Sequence, residues 1–586
     1  MATFSQLQGK PAEFDQCFPE AIEYDPASKT FEIGLVLGGT VSSGAYTAGV
    51  IDFLIEALDA WQKERTIGGG SVPDWKVKIK VVTGTSGGGV TAALLARALA
   101  YDFPPVRKSS TVADQRNNPL YRIWVEEVDI AKMLDISDLD RPQPVASLLN
   151  AGVLENCAGM IAKFSEAFPA LKPRTTPREF VENPLPIYMT LTNIRGIPYR
   201  IDMGNGLQQE YVNHADHVRM AVFTQGPNGH YQVRPDEFVV GASAANAIGW
   251  GDAVQFALGT SAFPLGFPLR SLSRPIQQYR YRAVVVPNSD DPIRHIDPIW
   301  SSLAVEPIST SRGAVADIVP DEYHFAAADG GMTDNEPIEL CRTALAGHIQ
   351  PNPRDGKQAC RALILVDPFA DKAMLGPATQ PDLLQSVMPL LSVWKNQARY
   401  DSRDLMLAGD SNVFSRYMIT AQRDGELAGA KSIATACASA FSGFLDERFR
   451  RHDYLLGRKN CQDFLKKTCY LPVENDLVKD WANANPASPL IFDGGQSVRL
   501  IPLYGDCQNS EQTDAYPKGL FDLEANEFQD RLKVRIERIV DKAKDRFSPT
   551  GIVPQLYLQP FFENSKEGLQ KAINNWLKAA LTEWGL

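Results

Sequence analysis

The sequence predicts an α/β fold built on a central, mostly parallel sheet and followed by a mainly helical C-terminal region. Three observations carry that expectation. Two units of strand, glycine-rich turn and helix follow one another within the first hundred residues. A later apolar run, Phe325 to Ala328, ends in an Asp-Gly-Gly turn. From Leu383 onward, short strand-like runs give way to long segments of helical apolar spacing.

The first unit is a strand from Thr30 to Leu37, a bend Gly38-Gly39-Thr40-Val41-Ser42-Ser43-Gly44, and a helix from about Ala45 to Trp61. Val50, Phe53, Leu54, Ala57, Leu58 and Trp61 recur in that helix at i, i+3, i+4, i+7 spacing. Glycines and small hydroxyl residues before a helix expose several backbone N–H groups in one concavity, which suits a negatively charged oxygen. The spacing excludes two phosphate motifs. Ala45-Tyr46 stands where a P-loop requires Lys and Ser/Thr, and the G-x-G-x-x-G of a dinucleotide site is absent. An oxyanion hole formed by Gly38, Gly39, Thr40 and Gly44 is the use that remains.

The second unit has Val77, Ile79 and Val81 alternating along a strand, then Gly84-Thr85-Ser86-Gly87-Gly88, then a small-residue helix from Gly89 to Ala100. A G-x-S-x-G between strand and helix is the nucleophile-elbow arrangement. Gly84, Gly87 and Gly88 suit it because backbones crowd at such a turn. As an isolated string it reads equally as a tight βα turn with a serine cap. The third piece, Asp329-Gly330-Gly331-Met332-Thr333-Asp334-Asn335-Glu336-Pro337, supplies a carboxylate at a strand end. Alone it is a turn; beside Ser86, Asp329 becomes a candidate base.

In this order the three motifs resemble the patatin-like phospholipase family over about residues 30 to 370. The resemblance implies a three-layer α/β fold and a Ser–Asp dyad. Ser86 would be the nucleophile, Asp329 (in its motif with Gly330 and Gly331) the general base, and the first loop the oxyanion hole. Pro186 to Thr192 followed by Gly196 to Asp202 resembles the family's strand pair after the nucleophile helix, and Thr260-Ser261-Ala262-Phe263-Pro264 with Phe267-Pro268 resembles its S-x-A-x-P stretch. Two departures stand out. The family's first loop usually carries Arg or Lys, and here Ser42 and Ser43 occupy that place; Ser86 and Asp329 are also further apart than the family leads one to expect. Insertions near 101–180 and 205–320, with a lid or cap role, account for the second.

A helix from Pro337 to Leu345 and a strand from Ala362 to Val366 complete the α/β part, with a low-order stretch, Pro351 to Lys357, between them. Gly376 to Pro381 reads as a linker. Domain limits of 1–29 (an extension), 30–370 (catalytic) and 383–586 (helical) follow. Val387 to Leu407, Leu427 to Phe444, Leu523 to Arg546 and Glu567 to Trp584 read as helices; the last is expected to dock on the core through Leu569, Ile573, Trp576, Leu577, Ala580 and Leu581. Asn483 to Gly495 and Leu503 to Gly519 read as loops.

A net charge of −11 argues against nonspecific nucleic-acid binding. One basic cluster, Arg448, Arg450, Arg451, His452, Arg458 and Lys459, reads first as the solvated face of a helix, and second as a contact with lipid headgroups or another copy of the chain. Cys17, Cys157, Cys341, Cys360, Cys437, Cys461, Cys469 and Cys507 show no CxxC or metal-ligand spacing, which favours free thiols in a reducing compartment. The N-terminus lacks a signal pattern and no run of 18–20 apolar residues is visible, so a cytoplasmic protein, peripheral at a membrane, is expected. Of the seven histidines, His324 is the one alternative base. The expected function is hydrolysis of a phospholipid or other lipid ester without metal or cofactor. Acyl transfer on the same dyad and a silent lipid-binding scaffold are the alternatives. The pattern sets no oligomeric state.

Overall fold

The structure is a computed structural model that describes residues 2–68, 72–226, 231–244, 246–303, 318–369, 393, 397–399, 402–424, 430–519, 521–523, 526–547 and 552–586. The linker expected at 376–381, His230 and, of the helix expected over 387–407, residues 387–392, 394–396, 400 and 401 lie outside the described residues.

The ten strands of the main sheet are, in chain order, β1 (Thr30–Leu37), β2 (Lys76–Gly84), β3 (Leu185–Gly204), β4 (Leu207–Val222), β5 (Glu237–Val240), β6 (Ala247–Ile248), β7 (Arg270–Pro275), β8 (Glu322–Asp329), β9 (Arg361–Asp367) and β10 (Arg416–Thr420). Their order is β10-β9-β1-β2-β3-β4-β5-β6, with β8 paired to β3 and β7 to β8. Pairing is parallel from β10 to β3 and from β4 to β6, and antiparallel between β3 and β4, β3 and β8, and β7 and β8.

Alternation along the strands produces three layers, because successive side chains leave opposite faces. In β1, Leu35 and Leu37 enter one core and Val36 the other; in β9, Ala362, Ile364 and Val366 oppose Leu363 and Leu365. The first core is covered by α1 (Gly44–Ile67) and α2 (Gly87–Ala98), the second by α3 (Ile338–Ala346) through Ile338, Cys341 and Leu345. Contrary to the absence of a membrane-length apolar run expected above, α1 is long and apolar enough to cross a bilayer by composition, but 89% of that window is buried inside the fold.

Several expectations change. The runs 186–192 and 196–202 are one strand, β3, with a register shift between Thr192 and Ile197, and their partner is β4. The polar residues of β4 concealed it, because beyond the sheet both faces of this hairpin meet water. Strands β4, β5, β6 and β7 all lie in the stretch expected as an insertion after residue 205, yet belong to the main sheet. Residues 430–445 form short helical turns, not one helix, and Ala438, Ser439 and Ala440 adopt φ of 54°, 55° and 68°.

The basic cluster lies on α4 (Glu447–Lys467), which packs along α1. Arg450, His452 and Arg458 are buried, so the cluster is not a solvated face, although Arg448 is exposed. Arg458 is fully buried and bonds Asp52, Glu56 and Glu511; Arg450 donates to the carbonyls of Val125 and Gly443; Arg451 meets Asp514 and Tyr121. The two helices touch backbone to backbone: a Cβ on Gly49 would stand 1.9 Å from the Tyr454 carbonyl oxygen, and one on Gly457 2.2 Å from that of Tyr46. Two further helices, α5 (Asn526–Phe547) and α6 (Ile552–Trp584), close the chain. Leu577 and Leu581 of α6 dock against Ala434, Cys437 and Phe449, while Leu569 and Trp576 stay exposed.

A Gly49→Ala substitution forces α1 and α4 apart, since a backbone carbonyl cannot rotate away, and is predicted to cost about 1–3 kcal/mol or more in urea unfolding. Gly159→Ala, in a helix with open space at that position, is the matched control and should be neutral or stabilising by about 0.5–1 kcal/mol.

Candidate active site

Ser86 stands between β2 and α2 with φ 52° and ψ −125°, a conformation that costs a non-glycine residue energy and marks the turn as an elbow. The turn closes only because Gly88 lacks a side chain: a Cβ there would lie 2.1 Å from the Leu37 carbonyl oxygen at the end of β1. The base arrives from the other direction. Strand β2 runs along one edge of β3 until Gly84 pairs with Met189, and β8 runs antiparallel along the same edge until Asp329 pairs with Leu191. The two strands meet nearly end to end. Ser86 Oγ consequently donates to Asp329 Oδ2 at 2.6 Å, while Asp329 Oδ1 accepts the Gly331 N–H at 2.7 Å. Both residues are buried, with 6% and 4% of their surface exposed.

Supporting contacts come from the other motifs. Thr260 Oγ1 accepts the Ser86 N–H at 2.9 Å, and the Ala262 carbonyl accepts the Asp329 N–H at 2.9 Å. The stretch from Thr260 to Pro264 therefore holds nucleophile and base together, a role its sequence did not disclose. Thr85 Oγ1 and Thr190 Oγ1 pair at 2.6 Å beneath the elbow, and both reach the Asp334 carbonyl.

The glycine-rich loop after β1 lies beside the elbow, but the structure corrects which of its groups are available. The Gly38 N–H donates to the Val366 carbonyl and the Gly39 N–H to that of Asn335, so these two amides brace the loop and are not available to an oxyanion. Among the described residues, the amides of Thr40 and Gly87 have no hydrogen-bond partner. The Trp124 ring covers Gly44, leaving less than 2.6 Å between its edge and a Cβ there. Ser42 Oγ is held by the Ala440 carbonyl and accepts the Gly443 N–H, and the hydroxyls of Ser43 and Thr435 pair at 2.9 Å. Asp453 in turn accepts the N–H groups of Ala434 and Thr435 and the Thr435 hydroxyl.

His324 is not placed to act as base. It is exposed on β8 and, five residues from Asp329, points from the opposite face. None of the described histidines hydrogen-bonds Ser86; His217 is half-buried, and desolvation with neighbouring arginines holds its pKa down at about 3. Among the described residues no three His, Cys, Asp or Glu side chains form a metal-ligating group. All eight cysteines carry free thiols.

The family model for patatin-like phospholipases matches residues 35–342, which contain the loop, the elbow and the Asp-Gly-Gly turn. The chain belongs to this family. Over 524 residues it is 31% identical to the uncharacterized protein y4iI of Sinorhizobium fredii (strain NBRC 101917 / NGR234), covering 82% of this chain and 72% of that one. The crystal structure of VipD from Legionella pneumophila is a remote likeness, with 12% identity, a TM-score of 0.21 and coverage of 96% and 94% of the two chains. Patatin-like phospholipases are lipid acyl hydrolases as a class. Where this member lacks the loop Arg or Lys, Ser42 and Ser43 instead tie the loop to residues 435–443.

Beside the base motif, burial pushes the Asp334 carboxyl up to about 6. The folded chain thus binds that proton more tightly than the unfolded chain, so this group's contribution to stability falls as pH rises from about 4 through about 6. Asp334→Asn is predicted to be more stable than wild type at pH 7.5, on the order of 1 kcal/mol after allowing for partial solvent screening. The difference should vanish at pH 4, as read by urea unfolding at both pH values.

Proposed function

We propose that the protein is a phospholipase A-type lipid acyl hydrolase working through a Ser86 acyl-enzyme with Asp329 as general base. The observation that carries this reading is the 2.6 Å hydrogen bond from Ser86 Oγ to Asp329 Oδ2 in a buried site. As Ser86 Oγ attacks an ester carbonyl carbon, its proton passes to Asp329 and the carbonyl oxygen becomes an oxyanion. Collapse breaks the bond to the alcohol, which leaves with the proton from Asp329. Water then attacks the acyl-enzyme, giving its proton to Asp329, and the fatty acid departs as Ser86 recovers its hydroxyl.

A lipid substrate is favoured by the apolar residues beside the dyad. The Leu265 carbonyl, three residues after Ala262, accepts the Leu148 N–H, and Leu148, Leu265 and Leu269 expose 47%, 51% and 47% of their surface. Phe263 packs on Phe441 next to this rim. Such a rim suits acyl chains entering from a membrane surface.

The test is fatty-acid release from mixed phospholipid vesicles and from short-chain p-nitrophenyl esters, with EDTA present. Wild type is expected to turn over, and Ser86→Ala and Asp329→Asn each to lose about 10³-fold or more in kcat. Full activity in either variant would remove the dyad. Wild type that binds vesicles without turnover would leave the scaffold alternative, and acyl esters of added glycerol in place of free acid would mark a transferase.

A further inference from the structure

We infer that the side-chain hydroxyl of Thr40 is a direct donor to the oxyanion formed at Ser86, taking the place of the backbone amides of Gly38 and Gly39. The inference rests on the hydrolase reading and concerns how that site stabilises charge.

The glycine-rich loop carries three hydroxyls, and the structure accounts for two of them. Ser42 and Ser43 are bound by residues 435–443. Thr40 is completely buried, and its Oγ1 makes no hydrogen bond to any described residue. A buried hydroxyl left unpaired costs about 1–3 kcal/mol, so one that persists needs a reason. Its position supplies one. A Cβ on Gly87 would stand 2.2 Å from Thr40 Oγ1, so the hydroxyl faces the backbone of the residue directly after the nucleophile, where the Gly87 amide is also without a partner. The edge of Trp124 would stand 3.1 Å from the same Cβ position and closes that side. The loop is also strained at Val41, a β-branched residue at φ 49°, and this bend follows Thr40 immediately. Hydroxyl and amide thus lie together beside Ser86, neither of them consumed by a described residue. A neutral ester oxygen needs those donors little; a full negative charge in a dry site needs them greatly. The hydroxyl therefore acts mainly on the transition state, and Gly87 is required because a Cβ there would collide with the Thr40 hydroxyl.

The test compares Thr40→Val, which keeps the branched shape without the hydroxyl, with Thr40→Ser, which keeps the hydroxyl. Readouts are kcat and KM on a p-nitrophenyl ester, the Ki of a long-chain trifluoromethyl ketone whose serine adduct bears the oxyanion, and the Tm. Thr40→Val is expected to lose about 10²-fold in kcat with KM within about twofold, and to bind the ketone more weakly by a similar factor. Its Tm should equal or exceed that of wild type, because an unpaired buried hydroxyl has been removed. Thr40→Ser should return kcat to within about tenfold of wild type. Unchanged kcat in Thr40→Val, with wild-type turnover that depends on Ser86, would overturn the inference alone; a lowered Tm with kcat and ketone affinity unchanged would assign Thr40 to packing. Wild type without Ser86-dependent turnover would overturn the hydrolase reading and this inference with it.

Discussion

The geometry of the site depends on one edge of β3 being shared by two strands that arrive from opposite ends. Backbone pairing places Gly84 of β2 opposite Met189 and Asp329 of β8 opposite Leu191. Only one β3 residue, Thr190, lies between the two pairs, so a serine just beyond β2 and an aspartate at the tip of β8 must face each other. The ladder hydrogen bonds that set this register are backbone bonds, so the separation of nucleophile and base is held by the sheet. The strained turn at Ser86 then requires only a local correction, supplied by the Thr260 hydroxyl on its amide.

A second constraint joins the two ends of the chain. Helix α4 lies against α1 at two reciprocal glycine contacts, and Arg458 is buried among Asp52, Glu56 and Glu511. Such an ion cluster adds little net stability over apolar packing, but losing one partner is costly, so it specifies how the helices meet. That placement brings residues 434–445 onto the glycine-rich loop, with Asp453 of α4 holding Ala434 and Thr435. Helix α5 acts similarly on the rim: Arg535 bonds the Leu148 carbonyl and Asp138. The helical C-terminal region is therefore part of the site's support, linked to the loop through Ser42 and Ser43.

The sheet's core strands were legible because their residues answer to local rules. Val36, Val81 and Leu363 alternate with residues of the opposite core, and β1 and β2 each end in a turn whose glycines have a steric reason. Strand β4 was not legible: from Leu207 to Asn213 it belongs to a hairpin that leaves the sheet, and its exposed faces erase the apolar alternation. The basic cluster on α4 misled for the converse reason, since Arg450 and Arg458 are buried by partners remote in sequence.

By itself the sequence determined the fold class, the family, and Ser86 and Asp329 as the pair to examine, because motifs at strand ends report local backbone requirements that neighbouring residues must satisfy. Only the tertiary structure decided which of the loop's donors are already taken. The Gly38 and Gly39 amides are taken by Val366 and Asn335, Ser42 and Ser43 by a segment almost four hundred residues away, and the Thr40 hydroxyl is left without a partner among the described residues. Hydrogen-bond availability is a property of the packed whole: a loop's sequence states which donors it carries, and the partners that consume them come from strands and helices that meet it only on folding.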